Sequence, residues 1–247
     1  MYEPYCFLTL QNQYKKPMNH NFAIIMAGGL GSRFWPTSTS HKPKQFLDVL
    51  NTGETLLQQT FRRVSLTIPK KNILIVTKSD YLNFCLDQLP EINKENIICE
   101  PSRRNTAPCI ALAAFKLKKI DPLANFIVTP ADHLVTNESE FKRIIQLGLS
   151  VTAENNILLT LGISPNKPET GYGYIQFKKE ENSFNTEIKT VKTFTEKPEL
   201  ELAKSFLETG EFLWNSGIFI WNANSILSAF EKHMPEMYSL FEDGWND

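Results

Sequence analysis

The strongest constraint on the fold is the run Phe22-Ala-Ile-Ile-Met-Ala27, apolar at every position and followed at once by Gly28-Gly29-Leu30-Gly31. A strand with one wet face alternates apolar and polar residues, so an unbroken run predicts a strand covered on both sides, as in a parallel sheet between helices. Further short β-branched runs follow at 72–77, 96–99, 126–129, 157–162, 174–177, 191–195 and 217–221, with helical periods at 55–65, 80–89, 106–120, 139–152, 199–208 and 224–232. Such alternation with right-handed crossovers predicts a three-layer, Rossmann-like α/β domain on a mostly parallel mixed sheet, with ligands beyond the carboxyl ends of the strands.

Composition narrows the function classes. With 247 residues and 42% hydrophobic content the chain can fill one large core or two small ones without staples. Lys plus Arg number 26 against 27 Asp plus Glu, a net charge of -1, which argues against nucleic acid or an anionic membrane as the main partner. Cys6, Cys85, Cys99 and Cys109 make no C-x-x-C pair, so neither a zinc ribbon nor a redox motif is written, and a reducing, cytoplasmic setting is expected. No apolar run reaches the eighteen or so residues of a membrane span, and Glu3 stands where a signal peptide carries positive charge. Residues 1–17 show no clean period and are read as an extension, with Met18 as the natural start and 18–247 as the domain. An edge strand over 5–10 stays open.

The loop after the first run continues Ser32-Arg33-Phe34-Trp35-Pro36, and then Lys42-Pro43-Lys44-Gln45-Phe46. Gly28, Gly29 and Gly31 let successive N–H groups converge on phosphate oxygens, and Ser32 lies in the same loop. Arg33 adds a fork and Lys44 a point charge, a combination suited to a triphosphate whose end must leave. A Walker A loop would need Gly-Lys-Ser/Thr where Gly31-Ser32-Arg33 stands. A dinucleotide fingerprint needs glycine where Phe34 stands, and Trp35-Pro36 would interrupt its helix, although Asp48 mimics the ribose-binding acid.

This loop resembles the G-x-G-x-R…P-K signature of the sugar-nucleotide pyrophosphorylases, and G-G-x-G-x-R-x-W-P with P-K-Q-F looks like their mannose-1-phosphate guanylyltransferase branch. Four more segments match in order: Glu100 to Pro108, Thr129-Pro-Ala-Asp-His133, Pro168 to Tyr174 with Phe194-Thr-Glu-Lys-Pro198, and Trp214-Asn-Ser-Gly217. The resemblance covers 18–247 and implies direct transfer from GTP to mannose 1-phosphate, giving GDP-mannose and pyrophosphate with Mg²⁺. It implies a nucleotidyltransferase fold with Asp132 as a metal ligand, Arg104, Asn105 and Thr106 against the nucleotide, and Gly171, Glu196, Lys197 and Asn215 against the sugar phosphate. His133, with one acid neighbour, reads as a packing or orienting histidine. The family carries a second metal-binding aspartate towards its C-terminus; Asp247 mimics it, but the expected ligand lies further on, which would leave this domain incomplete. Another sugar or nucleotide, a regulatory module without turnover, and self-association of the chain all stay open.

Overall fold

A computed structural model describes residues 20–29, 36–39, 41–100, 106–179 and 187–246. Eight strands form one sheet: β1 (Asn21–Met26), β2 (Ile73–Lys78), β3 (Ile97–Glu100), β4 (Asn125–Pro130), β5 (Leu159–Ile163), β6 (Gly173–Phe177), β7 (Val191–Glu196) and β8 (Phe212–Asn222). Their order is β3-β2-β1-β4-β8-β6-β7, with β5 on β8 as well. The pairs among β1 to β4 are parallel. β8 runs antiparallel to β4, β5 and β6.

The continuous apolar run does what its pattern demands. Within β1, Ala23 and Ile25 join one core while Phe22 and Ile24 join the other. The first core is closed by α1 (Leu56–Ser65), α2 (Leu82–Gln88) and α4 (Glu138–Glu154) through Leu57, Phe61, Cys85, Ile145 and Leu149. The second lies under α3 (Thr106–Ile120), α6 (Ala223–His233) and α7 (Pro235–Asn246). Each fully buried Ile, Leu or Phe contributes roughly 1.5–3 kcal/mol relative to an exposed one. A third, small cluster of Tyr174, Phe206, Phe212 and Trp214 seats α5 (Leu200–Thr209). The three-layer architecture is the expected one.

Local chemistry sets the ends of several elements. Thr55 and Gln58 form a reciprocal capping box at α1. Asn137 and Asn222 cap α4 and α6 by accepting from Glu140 N and Ser225 N. Two elements differ from expectation. β8 begins at Phe212 rather than Gly217, because Gly217 is not a strand start but a left-handed residue (φ 68°) inside the strand, its N–H donating to Asn215 Oδ1 at 3.0 Å. The helix α7 was not anticipated after His233; Pro235 opens it, and Met237, Tyr238 and Phe241 pack on the second core. No helix among the described residues is long and apolar enough to cross a membrane.

Candidate active site

The carboxyl ends of β1 and β4 meet β3 and the start of α3 around a cavity of about 270 Å³. Gly28, Gly29 and Gln45 form one wall; Glu100, Thr106 and Cys109 form another; Pro130, Ala131 and Asp132 close the third. The main chain here is pinned. Ala27 N donates to the Val76 carbonyl at 2.7 Å, and Ala131 N to the Met26 carbonyl at 3.0 Å. The amide of Gln45, almost fully buried, donates to the carbonyls of Ala27 at 2.8 Å and Gly29 at 2.9 Å. Gln45 therefore holds the glycine segment, a role absent from the sequence reading although its Pro-Lys-Gln-Phe motif stood out.

Charge collects at the rim. Lys44 Nζ lies 3.4 Å from Asp132 Oδ2, joining two expected site residues 88 positions apart in the chain, with side chains 21% and 42% exposed. Glu100, to which the sequence assigns no separate role within its motif, places Oε2 3.4 Å from where a Cβ on Gly28 would be. Thr106 begins α3, whose first N–H groups lack partners within the helix. Cys109 is buried, and burial pushes its thiol up to about 12, so it contributes shape rather than a nucleophile. His133 is half-buried; desolvation outweighs the Asp132 charge and lowers its pKa, in keeping with an orienting or packing histidine. Gly31, Ser32, Arg33, Arg104, Asn105 and Asp247 fall outside the described residues, and so does the 1–17 extension.

The dinucleotide alternative fails on Asp48. Its carboxylate accepts from Thr52 N at 3.0 Å and Gly53 N at 2.7 Å, closing a turn, and these backbone donors hold its pKa below the usual range.

The sugar-side candidates lie further along the same rim. β8 pairs Phe219 with Val128, and a Cβ on Gly217 would touch Pro130 at 3.8 Å, so Asn215 stands beyond the end of β4. Asn215 Oδ1 accepts from Thr160 Oγ1 at 3.3 Å. Gly173 pairs with Glu196, and a Cβ on it would come 2.7 Å from Glu196 Oε2 and 3.5 Å from Asn215 Cβ. Gly173 thus lies between Asn215 and the exposed end of Glu196, whose carboxylate would have to swing aside for a larger residue. Gly171 is in a neighbouring turn instead, with its N–H committed to Glu169 Oε1 at 3.1 Å. Lys197 adopts φ 44°, a left-handed conformation uncommon for a side chain of this kind, and its Nζ contacts Glu196 Oε1 at 2.7 Å.

A larger cavity of about 640 Å³ lies elsewhere, between α4 and strands β5, β6 and β8. Its lining is mostly aliphatic, and its acids Glu140 and Glu187 are both engaged by Arg143, at 2.7 and 2.6 Å. It brings no reactive groups together. Nor do the described residues contain a cluster of three or more His, Cys, Asp or Glu able to hold a metal. One carboxylate, Asp132, at the edge of the smaller cavity nevertheless fits Mg²⁺, which takes one or two protein carboxylates and fills its shell with phosphate oxygens and water.

Residues 22–247 match the nucleotidyl transferase family. The chain is 37% identical over 227 residues to the mannose-1-phosphate guanylyltransferase of Escherichia coli K12, covering 90% of this chain and 47% of that protein. It is 40% identical over 219 residues to the alginate biosynthesis protein AlgA of Pseudomonas syringae pv. tomato, covering 87% and 44%. It thus spans a little under half the length of these relatives. A solved structure named mannose-1-phosphate geranyltransferase, from Thermus thermophilus, superposes with a TM-score of 0.82 at 28% identity, over 92% of this chain and 64% of that one.

Proposed function

This chain belongs to the nucleotidyl transferase family, and we propose that it transfers a guanylyl group from GTP to mannose 1-phosphate. A phosphate oxygen of the sugar phosphate attacks the α-phosphorus, the bond from that phosphorus to the bridging oxygen of the β-phosphate breaks, and GDP-mannose and pyrophosphate result. The nucleophile is already anionic, so no general base and no covalent intermediate are needed; alignment and charge neutralisation suffice.

The observation that carries this reading is the rim that holds the glycine segment and the Lys44–Asp132 pair, with Glu196 and Asn215 around Gly173 further along it. Gly28, Gly29, Gly31 and Ser32 would cradle phosphates, and Lys44 with Arg33 would meet the charge gathering on the departing pyrophosphate. Thr106, with Arg104 and Asn105 before it, would border the nucleoside. Glu100, its carboxylate beside Gly28, offers two acceptors to the adjacent N1–H and N2–H donors of guanine. Glu196 and Asn215 would take the sugar hydroxyls, Lys197 the sugar phosphate, and Gly171 the nearby backbone contact. Mg²⁺, when bound, supplies electrostatic neutralisation at the phosphate oxygens, and Asp132 is the residue that would hold it.

The test is pyrophosphate release with identification of the sugar nucleotide, across GTP, ATP, UTP and dTTP paired with mannose, glucose and N-acetylglucosamine 1-phosphates. The expected result is GDP-mannose from GTP with mannose 1-phosphate, dependent on Mg²⁺. Preference for another pair would replace the substrate assignment, and GTP binding without any pyrophosphate release would remove the catalytic one.

A further inference from the structure

Thr60 and Arg63 stand one turn apart on α1, facing away from solvent: Thr60 is fully buried and Arg63 is 2% exposed. Thr60 Oγ1 donates to the Ala131 carbonyl at 3.3 Å. Arg63 Nη2 donates to Thr60 Oγ1 at 3.0 Å and to the His133 carbonyl at 3.2 Å. These two carbonyls belong to the residues on either side of Asp132. With Ala131 N already fixed on Met26 O, the chain is tied both before and after the aspartate.

Burying a guanidinium is costly, and the cost is offset only when its donors are well used. Here no carboxylate of the described residues forms an ion pair with Arg63, and its Nε has no hydrogen-bond partner among them. The face of Phe141 lies 5.4 Å away. A methionine would fill this volume without desolvating a charge, so stability alone does not account for the arginine. What it supplies is direction, a charge-assisted hydrogen bond on one particular carbonyl.

We propose that Thr60 and Arg63 are positioning residues for Asp132, fixing the backbone on both sides of it so that its carboxylate meets a nucleotide-bound divalent cation at a set distance. The inference rests on the reading of Asp132 as the cation ligand. It involves no contact of Thr60 or Arg63 with substrate.

The experiment uses the whole chain and Mn²⁺ as a paramagnetic probe, titrated in the presence of GTP and followed by electron paramagnetic resonance. The variants are Thr60→Val, which keeps the volume and removes the hydroxyl, Thr60→Ser, which restores it, Arg63→Met and Asp132→Asn. Thr60→Val and Arg63→Met should weaken Mn²⁺ binding about ten- to a hundredfold, as loss of an orienting partner does at metal sites. GTP affinity in EDTA should stay at the parent value, and Thr60→Ser should bind Mn²⁺ like the parent. If Arg63→Met does not unfold cooperatively, the isosteric Thr60→Val decides alone. Parent-like Mn²⁺ binding in Thr60→Val, with binding weakened in Asp132→Asn, overturns the positioning role and leaves the Asp132 reading intact. Parent-like binding in Asp132→Asn overturns that reading itself, and this inference with it.

Discussion

Lys44 and Asp132 hold each other at 3.4 Å across a partly wet rim, a geometry worth under about 1 kcal/mol to stability. On the proposed function their value is to the reaction. Lys44→Ala should therefore lower kcat/KM about 10²- to 10³-fold, while Tm moves by less than about 4 °C; steady-state kinetics beside thermal unfolding checks both. Arg33→Ala should behave alike. Glu100 gives a second residue-scale prediction. Glutamine keeps one acceptor where guanine presents two adjacent donors, so Glu100→Gln should narrow the preference for GTP over ITP, which lacks the N2 amine, by about tenfold; an unchanged ratio would separate Glu100 from the base. Part of this was legible: the glycines after one buried strand and the aspartate just past another mark one edge of the sheet by residue type and spacing, and the lysine between them in sequence meets that aspartate there. Gln45, Thr60 and Arg63 were not legible, because each acts on backbone carbonyls far away in sequence, and a carbonyl carries no mark in the sequence.

Among the elements, those whose cores are written as apolar runs were read within a residue or two, α3 over Thr106–Ile120 to the residue. The misreadings have local causes. Gly217 punctuates β8 without ending it, since a left-handed glycine can sit in a strand whose neighbour, Asn215, folds back to accept its N–H. The helix α7 is polar on most faces and is held by a narrow aromatic edge, with Tyr238 and Phe241 on Phe115 at 5.3 and 6.1 Å. Phe241→Ala should cost about 1–3 kcal/mol in urea unfolding and leave kcat within twofold or so of the parent, the cluster being remote from the rim. At the end of β7 the left-handed Lys197 invites a cleaner probe. Asparagine tolerates that backbone, so Lys197→Asn should keep the Tm and raise KM for mannose 1-phosphate about tenfold; a change confined to the GTP dependence would reassign the sugar-phosphate end.

For the whole molecule, acid is the revealing stress. Backbone donors of Thr52 hold Asp48 below its ordinary pKa; Arg143 does the same for Glu140 and Glu187, Lys167 for Glu169 and Lys179 for Glu211. Desolvation lowers His133. Groups whose folded pKa is depressed stabilise the fold above their unfolded pKa and lose that contribution as pH falls through the folded one. Tm should accordingly be level above about pH 7, begin to fall below about 6.5 as unfolded histidine gains protons, and fall further below about 4. Calorimetry from pH 8 to 3 checks this, and a Tm that rose on acidification would refute it. β8 sets a different kind of limit. One strand pairs with β4, carries Asn215 and pairs with β6, so it works as a ruler between the two ends of the rim, graduated in steps of about 3.4 Å per residue. Its spacing cannot be tuned by fractions, because a slip of one residue turns every side chain to the opposite face. If the rim takes a sugar phosphate as proposed, a lineage adapting it to a larger or smaller sugar has its reach set for it, and can change only the side chains that stand at fixed marks.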